Sequence, residues 1–280
     1  MSRLVEGEWV AEADLETDED GEFQRQEQVF RSRLGTDEYP VEAGRYHLYI
    51  CRACPWAHRV AMTRSLKGLD DAISLSLVQP ERYDQGWEFS DTYPDPLYGA
   101  DYLREIYVRA DPNVTGRPTV PVLWDTKTET IVNNESAEIM RMLDVAGHEL
   151  AARDVDLYPE GYRDEVDRLI DDIYDPINNG VYRAGFADSQ AAYDRAVDDL
   201  FAALDRYDDL LADQRYLAGD RLTEADLAMF ATLVRFDHVY HTHFKCNRRA
   251  IHEYDNLWGY TKDLYTTPGI ERTVNMDHIV

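Results

Sequence analysis

Lysine is nearly missing from this chain: of 280 residues only Lys67, Lys127, Lys245 and Lys262 carry an ammonium, and the 29 basic residues face 55 acidic ones. The formal charge of -26 argues against nucleic acid or an anionic membrane as partner, because the average field repels both. It suits a cell interior rich in salt, where a Debye length of about 3 Å at 1 M suppresses the self-repulsion of such a surface. Long apolar runs are missing too. None approaches the ~18 residues of a membrane helix, and the opening stretch MSRLVEGEWVAEADLETDEDGEF has no apolar signal core. A cytoplasmic protein is expected. Three cysteines are too few for a disulfide scaffold, and a reducing cytosol leaves them available for chemistry. What is present, 44% hydrophobic and 11% aromatic residues, suffices for a folded core, and the length suggests two domains.

The most informative stretch is RYHLYICRACPWAHR at 45–59. Tyr46, Leu48 and Ile50 alternate with His47 and Tyr49 as in a half-buried strand, and Pro55 takes the first helical position, where its missing N–H costs nothing. Cys54 is then the N-cap. Its sulfur sits among unpaired backbone N–H groups at the positive end of the helix dipole, which favours thiolate over thiol. A nucleophile is the functional reading, and a small buried residue at a turn is the bland one.

Residues 1–44 are polar and acidic and read as an extension wrapped over the domain that follows. From 45 to about 150 the pattern is α/β with mixed strands: a helix over 55–67, a strand at 73–78, an irregular loop through 79–102, a hairpin-like pair at 120–125 and 130–134, and a helix over 136–146. From about 156 to 280 it is helical. Tyr193, Ala196, Val197, Leu200, Leu204, Tyr207 and Leu211 recur at helical spacing while Asp194, Asp198, Asp199, Asp205 and Asp208 point elsewhere. Thr223 and Asp226 form a variant capping box ahead of LAMFATLVRF.

At this point the motifs carry a resemblance. ACPWAHR at 53–59, GWEF at 86–89, TVPVLWD at 119–125, TIVNNES at 130–136, NNGVYRAGFA at 178–187 and HFKCN at 243–247 together resemble the glutathionyl-hydroquinone reductases of the glutathione transferase superfamily. The resemblance implies a thioredoxin-like α/β domain followed by an all-helical domain, a homodimer, and glutathione as co-substrate. It implies that Cys54 attacks the sulfur of a glutathionyl-hydroquinone to leave a mixed disulfide, which a second thiol resolves. Val120, with Pro121 in the cis form, offers its backbone to the co-substrate, and Glu135 and Ser136 hold its γ-glutamyl end. Trp87 packs beside the bound thiol, while Tyr182 and Tyr240 contact the quinol oxygens. Arg117 lies near the binding edge. Each has a plainer role as well: Asn-Glu-Ser caps a helix, Trp87 anchors a long loop, and an arginine here pairs with a surface carboxylate.

Several alternatives stand beside this reading. Cys51 makes a C-x-x-C pair with Cys54 that could close a disulfide. The same cysteine would serve an omega-like thiol transferase or a dehydroascorbate reductase, and a non-catalytic transferase-like module is a further reading. His238, His241, His243 and Cys246 could ligate zinc, although no metal is expected because HFKCN is accounted for by the resemblance. Without a clear reader for the glycine end of glutathione, γ-glutamylcysteine is an alternative co-substrate. Relatives continue past the position of Val280 into a segment bearing another tyrosine, so that contact is not expected of these residues.

Overall fold

The structure, a computed structural model, describes residues 2–11 and 17–280. They cluster into two compact units: 2–11, 26–155 and 273–278 in the first, and 17–25, 156–272 and 279–280 in the second. The boundary between the units lies between Val155 and Asp156. The described part of residues 1–44 is shared between the units, and positions 1 and 12–16 lie outside the described residues.

In the first unit β1 (Arg3–Val5) and β2 (Glu8–Val10) form a short antiparallel hairpin. The main sheet has the order β4-β3-β5-β6. β3 (Tyr46–Ile50) runs parallel to β4 (Ser74–Leu77) and antiparallel to β5 (Val122–Asp125), and β5 pairs antiparallel with β6 (Thr130–Asn133). This is the thioredoxin-like mixed sheet. α1 (Pro55–Lys67) starts on its proline and stops at Gly68, whose φ of 65° lets its N–H reach Arg64 and Ser65 carbonyls. It packs on α3 (Ser136–Val145). The ends are tied by a buried ion pair, Lys67 Nζ to Asp144 Oδ1 at 2.7 Å, with Lys67 also donating to the Val155 carbonyl.

Two expectations are corrected here. β3 is buried at all five positions rather than alternately, because it is a central strand covered on both faces. On the second face His47 Nδ1 lies 2.7 Å from Ser74 Oγ, and Tyr49 donates to Asp95 at 2.9 Å. Burial pulls the His47 pKa down to about 4, so its ring is neutral at pH 7. Asp95 also accepts the backbone N–H groups of Leu97, Tyr98 and Ala100, which folds the 79–102 loop back on itself and ties it to β3. The second correction is α2 (Leu103–Ala110), a helix the sequence reading passed over. Leu103, Ile106 and Tyr107 form its buried face, but eight residues are fewer than the window over which a helical period is legible. The segment 273–278 returns to this unit through His58–Thr273 and Tyr93–His278 hydrogen bonds of 2.9 and 2.7 Å.

The second unit is helical: α4 (Arg163–Ile173), α5 (Gly180–Gly185), α6 (Gln190–Leu210), α7 (Glu224–Arg235), α8 (His241–His243) and α9 (Asp255–Thr266). A π-turn at Tyr174–Asn178 precedes α5 and another at Phe236–Tyr240 precedes α8. α6 buries Ala196, Val197, Leu200, Leu204 and Tyr207, the predicted face. Asp208 departs from its solvent reading, since its carboxylate accepts the N–H groups of Asn256 and Leu257 and caps α9. Asp226 accepts the Thr223 N–H at 2.8 Å, the back-reaching half of the predicted capping box.

Candidate active site

Cys54 stands at the N-cap of α1 with extended backbone, φ -76° and ψ 121°. Its N–H donates to Cys51 at 3.2 Å, and its carbonyl accepts the first helical bond from His58 at 3.0 Å. The half-buried sulfur lies 3.7 Å from the Val120 carbonyl oxygen. Cys51 differs: it is fully buried, and its sulfur lies 3.6 Å from the Gln79 carbonyl. Neither sulfur is in a disulfide.

The Val120–Pro121 peptide is cis. The chain leading into it is fixed from beneath by Tyr107, which is fully buried and whose hydroxyl donates to the Thr119 carbonyl at 2.8 Å while accepting the Thr119 N–H at 3.1 Å. Asn134 donates to the same hydroxyl at 3.0 Å and to Gln28 at 2.8 Å. One buried network thus holds the edge at Val120 and the turn before α3 in register.

That turn carries Glu135 and Ser136. Glu135 is the N-cap of α3 and accepts the Ala137 N–H at 3.1 Å. Arg59 of α1 donates to Ser136 Oγ from Nε at 3.0 Å and Nη2 at 2.6 Å, and stands 3.5 Å from Glu135. Its guanidinium lies 5.0 Å from the Trp56 ring centre. Arg59 lies within ACPWAHR, where its neighbours in sequence reveal no task for it. Only its partners, 76 and 77 positions away, reveal one: a bifurcated clamp that orients the Ser136 hydroxyl beside a helix N-terminus, a place suited to a carboxylate.

Trp87 is half-buried and packs, like Cys54 and Ala53, against the core of the first unit. The turn before it needs Gly86, whose φ is 86° and whose missing Cβ would come within 3.0 Å of the Trp9 ring. Arg117 is half-buried. Arg82, which the sequence reading did not single out, lies with its guanidinium carbon 5.9 Å from the Trp87 ring centre. Burial and the like charge of Arg117 pull its pKa below the usual guanidinium value, and Cys54 pulls it up.

Tyr182 and Tyr240 belong to the second unit, with ring centres 6.1 Å apart. Phe244 stacks on Tyr240 at 5.4 Å and meets Tyr182 at 5.3 Å, and Arg25 caps the Tyr182 face at 4.7 Å. Arg25 is held there by donating to Asn179 at 2.9 Å. Gly185 makes room for this cluster, since a Cβ there would lie 2.3 Å from Phe244. Cys246 is fully buried, its thiol pushed up to about 12 by desolvation. No group of three potential metal ligands, the His238–Cys246 stretch included, exists among the described residues.

Comparison with known proteins places these features in context. Residues 53–146 match the glutathione S-transferase N-terminal domain family and residues 190–263 the C-terminal domain family. The chain is 48% identical to the glutathionyl-hydroquinone reductase YqjG of Escherichia coli, over 100% of this chain and 89% of that protein. The glutathione-bound structure of that relative superposes with a TM-score of 0.90 at 46% identity, covering 99% and 88% of the two chains. Identity to the glutathionyl-hydroquinone reductase PcpF of Sphingobium chlorophenolicum is 45%, over 99% and 90%. The Xi-class glutathione transferase from Natrialba magadii superposes with a TM-score of 0.94 at 59% identity, covering 100% and 87%.

Proposed function

The chain belongs to the glutathione transferase superfamily, alongside its glutathionyl-hydroquinone reductases, and from that premise we propose that it strips glutathione from glutathionyl-hydroquinones by thiol exchange at Cys54. The observation that carries this reading is the Cys54 sulfur at the start of α1, facing the Val120 carbonyl at 3.7 Å, in a chain 48% identical to a reductase of that kind. A serine there could only hydrogen-bond a thiol. A cysteine exchanges with it.

The chemistry balances without a further cofactor. Cys54 thiolate attacks the sulfur of the conjugate, an S–S bond forms, and the bond from sulfur to the aromatic ring breaks. The ring carbon keeps that electron pair and takes a proton, assigned to Tyr182 or Tyr240 on the resemblance, and the hydroquinone departs. A second glutathione thiolate attacks the glutathione sulfur of the mixed disulfide, releasing glutathione disulfide and Cys54 thiolate. One free thiol and the thioether sulfur of the conjugate have been joined as a disulfide, and the ring carbon has gained the two electrons they gave up. Val120 and Pro121 present backbone to the co-substrate, Glu135 and Ser136 take its γ-glutamyl ammonium and carboxylate, and Trp87 flanks its sulfur, with Arg117 at the same edge. We assign the enzyme to the cytoplasm as a homodimer on the same resemblance.

Brief exposure to a glutathionyl-hydroquinone without free thiol should raise the protein mass by one glutathione, located on Cys54. Cys54→Ser should lose at least about a thousandfold in turnover; undiminished turnover would sink the assignment. The charge of -26 further assigns the protein to concentrated salt. Its thermal midpoint should rise between dilute buffer and molar potassium chloride, and equal midpoints would remove that assignment.

A further inference from the structure

Residues 17–25 are built into the second unit beside its aromatic cluster. The Gly21 carbonyl accepts the Asp188 N–H at 2.9 Å, the Asp20 carbonyl accepts the Ser189 hydroxyl at 2.8 Å, and Glu22 accepts from Arg195 at 2.8 Å. Gly21 has a φ of 81°, and a Cβ there would meet the Ser189 nitrogen at 3.1 Å, so this close approach to the start of α6 needs glycine. The stretch ends by burying Phe23 against Phe186 at 5.3 Å and laying Arg25 on the Tyr182 ring at 4.7 Å. Arg25 Nε donates to Asn179 at 2.9 Å, immediately before the helix that bears Tyr182, so cation and ring are held from one backbone segment. Tyr240 sits differently. It is 2% exposed and Phe244 stacks on it at an interplanar angle of 27°, whereas Tyr182 is half-buried.

We propose that Arg25 selects Tyr182 over Tyr240 as the group that protonates the ring carbon when the hydroquinone leaves. This rests on the reading of Cys54 as the thiol that exchanges with the conjugate. As the carbon–sulfur bond breaks, the ring carbon keeps the electron pair and takes the Tyr182 hydroxyl proton. The C–H bond forms, the O–H bond breaks, and Tyr182 is left a phenolate until water returns a proton. A guanidinium over a phenol is attracted by the neutral π face, and more strongly by the full charge of a phenolate. The contact therefore strengthens as the proton moves, and an interaction stronger in the transition state than before it lowers the barrier. An arginine suits the task because its planar charge stacks on a ring. It is a positioning residue that acts through Tyr182 rather than on the substrate.

The test is a single-turnover measurement of hydroquinone release by the full chain in molar potassium chloride, with glutathionyl-hydroquinone and its trichlorinated analogue. Arg25→Met should slow release from the unsubstituted conjugate about tenfold. It should slow the chlorinated one less, because that ring carries negative charge more readily and needs less help from an acid. Tyr182→Phe should slow release at least as much. Adding Arg25→Met to Tyr182→Phe should then cost nothing further, whereas beside Tyr240→Phe it should keep its full cost. Arg25→Lys, which keeps the charge, should recover part of the rate. Arg25→Gln keeps a donor for Asn179 without the charge, and replaces Arg25→Met in every arm should the latter fail to fold. Wild-type rates in the uncharged variants, a loss equal for both conjugates, or losses that multiply with Tyr182→Phe would overturn the selection and leave the Cys54 reading intact. A wild type that takes no glutathione onto Cys54 would instead strike the reading on which the selection rests.

Discussion

The two units bury polarity in different ways. In the first, charged side chains meet polar or charged partners far away in sequence: Lys67 with Asp144, Arg45 with Asp125 at 2.5 Å, and Arg59 with the Ser136 hydroxyl. Each pair joins segments 77 to 80 residues apart, and Arg59 fixes the very turn that bears Glu135 and Ser136. In the second unit the corresponding group is Asp226, fully buried, whose donors are mostly local. Thr223 contributes its N–H and hydroxyl, Leu217 its N–H, and Tyr260 its hydroxyl. Long-range contacts in the first unit join α1 to α3 and β3 to β5, whereas a capped carboxylate sets the start of one helix. The first arrangement ties distant segments together, and the second secures one helix start.

Breaking the Lys67–Asp144 pair gives the largest expected effect. Lys67→Met leaves Asp144 charged and buried, and should cost about 3–5 kcal/mol in urea unfolding in molar salt. Lys67→Met with Asp144→Leu should recover most of that loss, because no uncompensated charge remains. If the double variant were as unstable as the single one, the contribution would lie in packing and in the Val155 hydrogen bond rather than in charge.

Asp226 should respond to pH in the opposite manner to a paired acid. Burial pushes its carboxyl up to about 6 from the ordinary 3.8, against the donors that hold it down. A raised folded pKa means the folded state prefers the protonated form, so this stabilisation is complete below pH 3.8 and is lost as pH rises through about 6. Relative to Asp226→Asn, which has no proton to lose, the wild type should lose on the order of 2–3 kcal/mol across that window. A difference that stays flat with pH would mean that the four donors fully offset burial.

The contrast between the units also explains what was legible beforehand. α1 was readable to the residue because Pro55 and Gly68 punctuate it locally, and α6 because its apolar positions recur at helical spacing over many turns. Cys54, Glu135 and Ser136 were readable as the residues where strands turn into helices. Arg59 and Asp95 were not, since each draws its meaning from partners that only the folded chain reveals. Asp208 erred for the same reason: on its own helix it lies toward solvent, yet the start of α9 arrives from 48 residues away to use it. Tyr49, on the strand face first assigned to solvent, needed Asp95 and the loop around it before it could be placed inside.

The smallest expected effect tests whether the second unit takes part in chemistry at all. In Gly185→Ala the new Cβ would meet the Phe244 ring at 2.3 Å, so Phe244 must move, and with it the faces it shares with Tyr182 and Tyr240. Overpacking of this kind costs about 1–3 kcal/mol, which thermal unfolding will register. Alkylation of Cys54 should proceed at the wild-type rate, since none of the groups around that sulfur in the first unit is altered. Turnover of a glutathionyl-hydroquinone should nevertheless fall if the two tyrosines deliver the proton to the ring carbon. A variant that loses stability while keeping its turnover would reduce the aromatic cluster to packing, and the division between a unit that reacts and a unit that only folds would become complete.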